Sequence, residues 1–363
     1  MPEPRRVLMS ADCVGGVWIY ALELARALGA RGLEVGLASM GAPLSREQRL
    51  AAWHTPGVEL FESAYKLEWM EDPWDEVEAA GEWLLAIAAD FKPDVVHLNG
   101  YAHGDLPWGA PTLVVGHSCV YSWWRSVHGQ LPPAEWQRYR ERVTRGLLAA
   151  DRVVAPTAAM LSALERHYGP LPRKQVIANC REASAFPPGE KQSFVLAAGR
   201  LWDEAKNIRA LASIADRLPW PVYVAGEHRH PDGGKASFPG VKPLGRLSPR
   251  QMAPYFAAAA IYTLPARYEP FGHSALEAAL AGCALVLGDV ESLREVWGEA
   301  AIYVPPDDPE ALASAIGGLA ADGARRRVMT EAARGRALRY SPEATARAYM
   351  GAYSAITAPV STP

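Results

Sequence analysis

Two α/β domains in tandem, each a doubly wound parallel sheet, are what the sequence predicts. Short apolar runs that end in polar residues alternate with amphipathic stretches of helical period, the pattern of parallel strands buried between helices. The alternation breaks at Glu182–Lys191, where Pro187, Pro188 and Gly189 sit among polar neighbours and read as an interdomain linker. At 363 residues the chain is long enough for two such cores.

The first domain opens with a strand at Arg6–Ser10 and a Gly15-Gly16 turn. A helix follows with Val17, Tyr20, Ala21, Leu24 and Leu28 on its apolar face, and past Gly32 a strand runs over Leu33–Ser39. A glycine pair after a first strand lets a phosphate approach the backbone, with a plain tight turn as the alternative. It is not the G-x-G-x-x-G dinucleotide fingerprint. Residues Leu60–Ala89 are acidic and aromatic and read as a solvated surface helix, with a mobile ligand-side loop as the alternative.

Strands at Asp94–Asn99 and Thr112–Ser118 each end in polar residues, first His97 and Asn99, then His117 and Ser118. Ligands of open α/β sheets lie beyond such ends, which makes His117 a site candidate, although a lone histidine is more often structural. Tyr121, Trp123 and Trp124 follow and offer aromatic faces to a sugar ring or aglycone. Nine of the twelve tryptophans precede residue 150, which suits an acceptor-binding half or simply a large core. Pro133–Ala150 is an amphipathic helix with Trp136, Tyr139, Val143 and Leu147 inward and Arg138, Arg142 and Arg145 outward. A solvated basic face is the default reading there, with peripheral contact to anionic lipid as the alternative. A strand at Arg152–Pro156, a helix at Thr157–Tyr168 and a strand at Val176–Asn179 close the domain.

The second domain begins with a strand at Phe194–Ala198, the turn Gly199–Asn207 and a helix at Ile208–Leu218. Arg200 and Lys206 flank that turn, where two cations can neutralise a diphosphate; a pair of surface cations at a helix start is the alternative. Strands at Pro221–Gly226 and Val241–Leu247 and a helix from Ser248-Pro249 lead to a buried strand at Ala260–Ala266. Beyond lie strands at Leu285–Asp289 and Ala301–Pro305, a helix at Pro309–Ala321 capped by Asp308, and a last helix from Ser341-Pro342 to about Ile356. The tail Ala358–Pro363 reads as frayed.

The densest chemical signal is Arg267–Gly282. Glu269 sits on the loop off a strand's carboxyl end, and Glu277, seven intervening residues further on, falls in the first turn of the helix Ser274–Ala281. A helix N-terminus there offers unpaired N–H groups and a positive dipole end, an anion site. Two carboxylates beside it make sense as acceptors of hydrogen bonds from sugar hydroxyls. Ser274-x-x-Glu277 also matches a capping box, so that Glu277 has a purely structural alternative.

Glu269-x7-Glu277 with Pro270-Phe271-Gly272 inside it resembles the signature of the family 4 retaining glycosyltransferases (GT4, group 1). Gly199-Arg200-Leu201 with Lys206 resembles that family's diphosphate grip, with one extra residue before the lysine. The resemblance spans essentially the whole chain and implies the GT-B architecture. That is two Rossmann-like domains facing each other across a cleft, with the last helix crossing back to the first. The domains would cover residues 1–181 and 182–340, with 341–363 as the returning helix and tail. It implies transfer of a hexose from a nucleoside diphosphate sugar, UDP- or GDP-linked and on base rate UDP-glucose, to a small-molecule, saccharide or lipid-linked acceptor.

On that resemblance Glu277 grips the ribose and Glu269 faces the sugar. The backbone of Phe271, Gly272 and His273, with Ser274, meets the sugar and diphosphate. Arg200 and Lys206 hold the diphosphate, Gly15 and Gly16 line the cleft, and His117 lies near the reacting carbon. A sugar-nucleotide epimerase on the same architecture, or a silent nucleotide-sugar-binding subunit, is the alternative function.

The remaining features bound these expectations. A net charge of −3 argues against a nucleic-acid binder. Cys13, Cys119, Cys180 and Cys283 form no C-x-x-C pair, which argues against structural zinc or a disulfide framework and fits a reducing cytoplasm. No apolar run is of membrane-spanning length, and the N-terminus reads as a strand rather than a signal peptide. No metal is expected, for want of an Asp-x-Asp site, and no cofactor besides the donor substrate. Oligomeric state is open.

Overall fold

A computed structural model describes residues 4–228 and 237–358, so of the tail expected to fray only Ala358 falls within it. The chain divides into two compact units, one of residues 4–124, 131–180 and 342–358, the other of residues 125–130 and 181–341.

The first unit is built on seven parallel strands: β1 Arg6–Asp12, β2 Glu34–Met40, β3 Val58–Glu62, β4 Val95–Leu98, β5 Thr112–Val115, β6 Arg152–Ala155 and β7 Lys174–Val176. Their order is β3-β2-β1-β4-β5-β6-β7, so the winding reverses between β1 and β4. Val7 of β1 lies opposite Val35 of β2 and Val95 of β4. The two-residue period of the strand sends Val7 and Met9 to one face, with Leu24 and Leu28 of helix Gly16–Gly29. It sends Leu8 to the other, with Leu84 and Phe91 of helix Trp74–Phe91. The last helix, Pro342–Thr357, belongs to this unit and buries Tyr349 and Tyr353 in the first of these layers, the return that the resemblance implies.

Two readings need correction. Trp74–Phe91 is solvated on one side only: Asp75, Glu78 and Glu82 are exposed, but Val77, Ala80, Leu84 and Phe91 are buried along the other. Ahead of it Glu68 is 9 % exposed, its carboxylate accepting from the N–H groups of Tyr101 and Ala102. The Pro133–Ala150 helix starts at Gln137, after a 3-10 turn over Ala134–Trp136. Its basic face is largely spoken for, since Arg138 and Arg142 both reach Glu78 and Arg142 also donates to the Ala102 carbonyl.

The second unit has six parallel strands, β8 Gln192–Ala198, β9 Val222–Ala225, β10 Lys242–Gly245, β11 Ala259–Leu264, β12 Ala284–Gly288 and β13 Ile302–Val304, in the order β10-β9-β8-β11-β12-β13. Winding reverses between β8 and β11. Such a reversal splays the flanking loops apart at the strands' carboxyl ends, and ligands of open α/β sheets sit there. Helix Pro309–Ala321 starts where expected, with Asp308 accepting from the Ala311 N–H. Within the linker, Lys191 donates to the Phe256 and Ala281 carbonyls, closing the carboxyl ends of two helices of this unit.

Candidate active site

The loops after β8 and β11 build one cluster at the reversal of the second sheet. After β8 the chain makes a 3-10 turn over Glu204–Lys206 and then places Asn207 in the left-handed region at φ +55°. Asn207 is held there by its side-chain amide, which donates to the carbonyls of Pro265 (2.9 Å) and Pro306 (2.7 Å). Asparagine tolerates this backbone better than other non-glycine residues. The turn is thus pinned to the β11 loop, and Lys206 reaches across it: Nζ lies 2.6 Å from Glu269 Oε2. The extra residue before the lysine therefore does not keep it from the second motif. Arg200, 42 % exposed at its side chain, pairs instead with Asp203 at 2.9 Å.

After β11 the loop turns into helix His273–Leu280 through Gly272 at φ +90°, a conformation glycine adopts without strain. Glu269 folds back on that start. Its Oε1 accepts from the Gly272 N–H at 3.0 Å and, more weakly, from the Phe271 N–H at 3.5 Å. Its carbonyl accepts from the Ser292 hydroxyl at 2.5 Å.

The capping box is not formed. Gly272 is the N-cap, and Ser274 accepts from the Tyr262 hydroxyl at 2.7 Å. Glu277 accordingly lies in the second turn rather than the first, where its carboxylate meets Arg181 Nε at 2.8 Å. The Phe271 ring is buried edge-on to Tyr340 at 5.5 Å, so its N–H is what it can offer a ligand. His273 is pushed down to about 3 by burial, then by the nearby charges of Arg181 and Lys206, and is neutral at ordinary pH. Three cations, Arg181, Arg200 and Lys206, thus stand each against one acid, Glu277, Asp203 and Glu269.

The first unit carries the other candidates at its own reversal and beside it. Gly15 is the N-cap of helix Gly16–Gly29 with extended backbone at φ −143°, so neither a left-handed turn nor strain requires glycine there. At the ends of β4 and β5, Asn99 gathers two imidazoles. Its amide N–H donates to the Ser10 carbonyl at 2.7 Å, which fixes the amide's orientation. Its oxygen therefore accepts from His117 Nε2 (2.8 Å) and His97 Nε2 (3.2 Å). A neutral His117 then carries its lone pair on Nδ1, and the Tyr20 ring packs edge-on to it at 4.4 Å. Tyr121 does not offer its face to a ligand: it is 6 % exposed and stacked at 6.5 Å on Tyr139. Trp123 and Trp124, on helix Val120–His128, are part-buried and lie against each other at 5.9 Å.

Sequence reasoning missed Arg181, Asn207 and Ser292. Asn207 carried a signal, as a small polar residue between a turn and a helix. Arg181 carried none, being 96 positions from the acid it meets. Among the described residues no group of three or more His, Cys, Asp or Glu is placed to hold a metal ion, and no helix is long and apolar enough to cross a membrane.

Residues 14–182 match the family described as Glycosyltransferase Family 4, and residues 192–322 match Glycosyl transferases group 1. A D-inositol 3-phosphate glycosyltransferase of Geodermatophilus obscurus is 27 % identical over 95 % of this chain and 86 % of its own. A glycogen synthase of Mycobacterium tuberculosis is 25 % identical over 71 % of this chain and 68 % of its own. Among solved structures, sucrose-phosphate synthase from Thermosynechococcus elongatus superposes with a TM-score of 0.80 at 21 % identity, covering 97 % of this chain and 98 % of the other. HepE of Anabaena in complex with UDP-glucose does so at 0.77 and 16 %, covering 96 % and 99 %. These likenesses establish the GT-B fold.

Proposed function

We propose that this chain, which belongs to the glycosyltransferases of family 4 and group 1, moves a hexose from a nucleoside diphosphate sugar to an acceptor hydroxyl with retention of configuration. UDP-glucose is the preferred donor in this reading. The observation that carries it is Lys206 clasping Glu269 at 2.6 Å beside the amino end of helix His273–Leu280, at the reversal of the sheet. A cation, backbone N–H groups and a dipole end converge there on a volume outside the strands, which suits the phosphates of a donor.

The demanding event is departure of the diphosphate. The bond from the anomeric carbon to the phosphate oxygen breaks, negative charge builds on that oxygen, and the acceptor oxygen forms the new bond. Lys206, Arg200 and the helix amides stabilise that charge, so no metal or cofactor is needed in this reading. Because Lys206 and Arg200 are already paired with acids, the diphosphate must exchange places with those acids. Glu269, released, accepts from sugar hydroxyls, and Glu277 accepts from the ribose. This reading assigns no residue as nucleophile to the anomeric carbon and takes retention by a front-face course, in which the departing phosphate takes the acceptor's proton. His117 and the Gly15-Gly16 turn are assigned to the sugar side of the reaction, and Trp123 and Trp124 to the acceptor side.

The test is release of nucleoside diphosphate from UDP-glucose and GDP-mannose with a panel of hydroxyl acceptors. Lys206→Ala should lower kcat about 100-fold or more, the usual loss when one charge-stabilising donor is removed. Wild-type turnover in that variant sinks the assignment. The anomeric signal of the product in NMR reports stereochemistry, and an inverted product excludes the front-face course. Donor converted to another sugar nucleotide without acceptor would mark an epimerase instead.

A further inference from the structure

We infer that Arg181 is a positioning residue for the donor: it fixes the Glu277 carboxylate as the acceptor for the ribose hydroxyls. The inference rests on the donor reading above and names a residue that reading does not contain. Arg181 opens the longer segment of the second unit, and its side chain is 8 % exposed. Its backbone and its guanidinium are both engaged. Its N–H donates to the Tyr340 carbonyl at 3.2 Å, its guanidinium lies 5.0 Å from the centre of the Phe186 ring, and its Nε meets Glu277 Oε1 at 2.8 Å.

A guanidinium is planar and its N–H groups diverge at fixed angles, so an arginine clamped in this way presents Nε in one direction. The capping box that would tie Glu277 to Ser274 is not formed, because Ser274 bonds Tyr262 instead. A glutamate in the second turn of a helix has three side-chain torsions to settle, and Arg181 settles them by engaging one carboxylate oxygen. The neighbour on the same helix face, His273, is four residues earlier and neutral, so it does not compete for the acid as a cation.

The alternative is that Arg181 only neutralises a half-buried acid, and the two roles separate by ligand. The probes are UDP, 2′,3′-dideoxy-UDP and inorganic pyrophosphate, with dissociation constants measured on the full chain by calorimetry. Wild type should prefer UDP over the dideoxy form by roughly tenfold to a hundredfold, the worth of hydrogen bonds to a charged acceptor. Arg181→Gln should bring that ratio close to one while pyrophosphate binds as in wild type. An unchanged ratio in Arg181→Gln overturns the inference.

Leaving Glu277 without its cation risks the fold, so the second arm starts from Glu277→Gln, in which the acid's charge is already gone. If Arg181 acts through Glu277, adding Arg181→Gln to Glu277→Gln changes UDP affinity no further. A further multiplicative loss in the double variant overturns the inference. The two readings also fail differently. A Glu277→Gln variant that keeps the wild-type ratio removes Glu277 from the ribose, and the donor assignment with it. A Glu277→Gln variant that loses the ratio while Arg181→Gln keeps it removes only the role of Arg181.

Discussion

Glu269 is the residue on which the chemistry of the site turns, and its partners are telling. Its carboxylate takes Lys206 Nζ and the N–H groups of Gly272 and Phe271, the same groups assigned to the donor's diphosphate and sugar. Glu269 thus competes with phosphate for them in the unliganded chain. Glu269→Gln should therefore bind UDP more tightly, by a few-fold to about tenfold for one charge-assisted contact relieved, while turnover falls. Calorimetry beside kinetics checks this; weaker UDP binding in the variant would mean that the acid helps hold the diphosphate rather than standing in for it. Its neighbour Gly272 gives a second check. At φ +90° an added Cβ is strained and would approach Leu293 Cδ2 to 3.2 Å, so Gly272→Ala should cost about 1–2 kcal/mol of stability, read as a lower urea midpoint. The sequence made Glu269 legible through its spacing to Glu277 and the glycine between them. It could not show the Lys206 or Arg181 pairings, because nothing local in a chain encodes which distant charge a carboxylate will meet.

At the scale of elements, legibility followed periodicity. β1, β5, β6, β11 and β12 are buried on both faces, and their apolar runs place them within a residue or two, except that β5 ends three residues early. Helix Arg46–Trp53 and strand β3 escaped notice, the helix because only Ala52 is buried along it and the strand because it lies at the sheet's edge with no fully buried residue. Even so the helix carried a signal, the Ser45–Gln48 capping box, which the structure forms. Helix Gly323–Ala337 was missed for a related reason: of its fifteen residues only Ala333 and Ala337 are buried, leaving no apolar stripe to read. The turn after β8 depends on one side chain, since Asn207 joins it to the loops that follow β11 and β13. Asn207→Ala leaves two carbonyls short of a donor and puts an alanine at φ +55°. About 2–4 kcal/mol should be lost, and Lys206 should lose its hold on Glu269, so donor affinity drops along with the melting temperature. Unchanged donor affinity in a folded Asn207→Ala chain would show that the turn needs no such tie.

For the whole molecule, each unit carries a histidine that burial keeps neutral, and this sets how the chain meets acid. His97, wholly buried between Tyr353 and Asn99, is pushed down to about 3 by desolvation and then by the His117 charge; His273 in the second unit is likewise near 3. In the unfolded chain both take up a proton near 6.5. Between those values the unfolded state binds more protons than the folded one, so stability falls as pH drops from about 6.5 towards 3, and above about 6.5 these groups contribute no slope. Glu68 works against the trend, because burial raises its carboxyl and protonation relieves the folded state. His103, buried in the first unit and likewise pushed down by desolvation, adds to the loss. The loss should be on the order of a few kcal/mol by pH 4, with His97, at 0 % exposure, carrying more than the part-exposed His273. Urea midpoints measured from pH 8 to pH 4 test this: wild type should decline below about 6.5, and His97→Gln should flatten the decline, since glutamine keeps hydrogen-bonding groups but takes no proton. A His97→Gln chain that declines as steeply as wild type would move the acid sensitivity to other groups and leave the buried imidazole without a role in it.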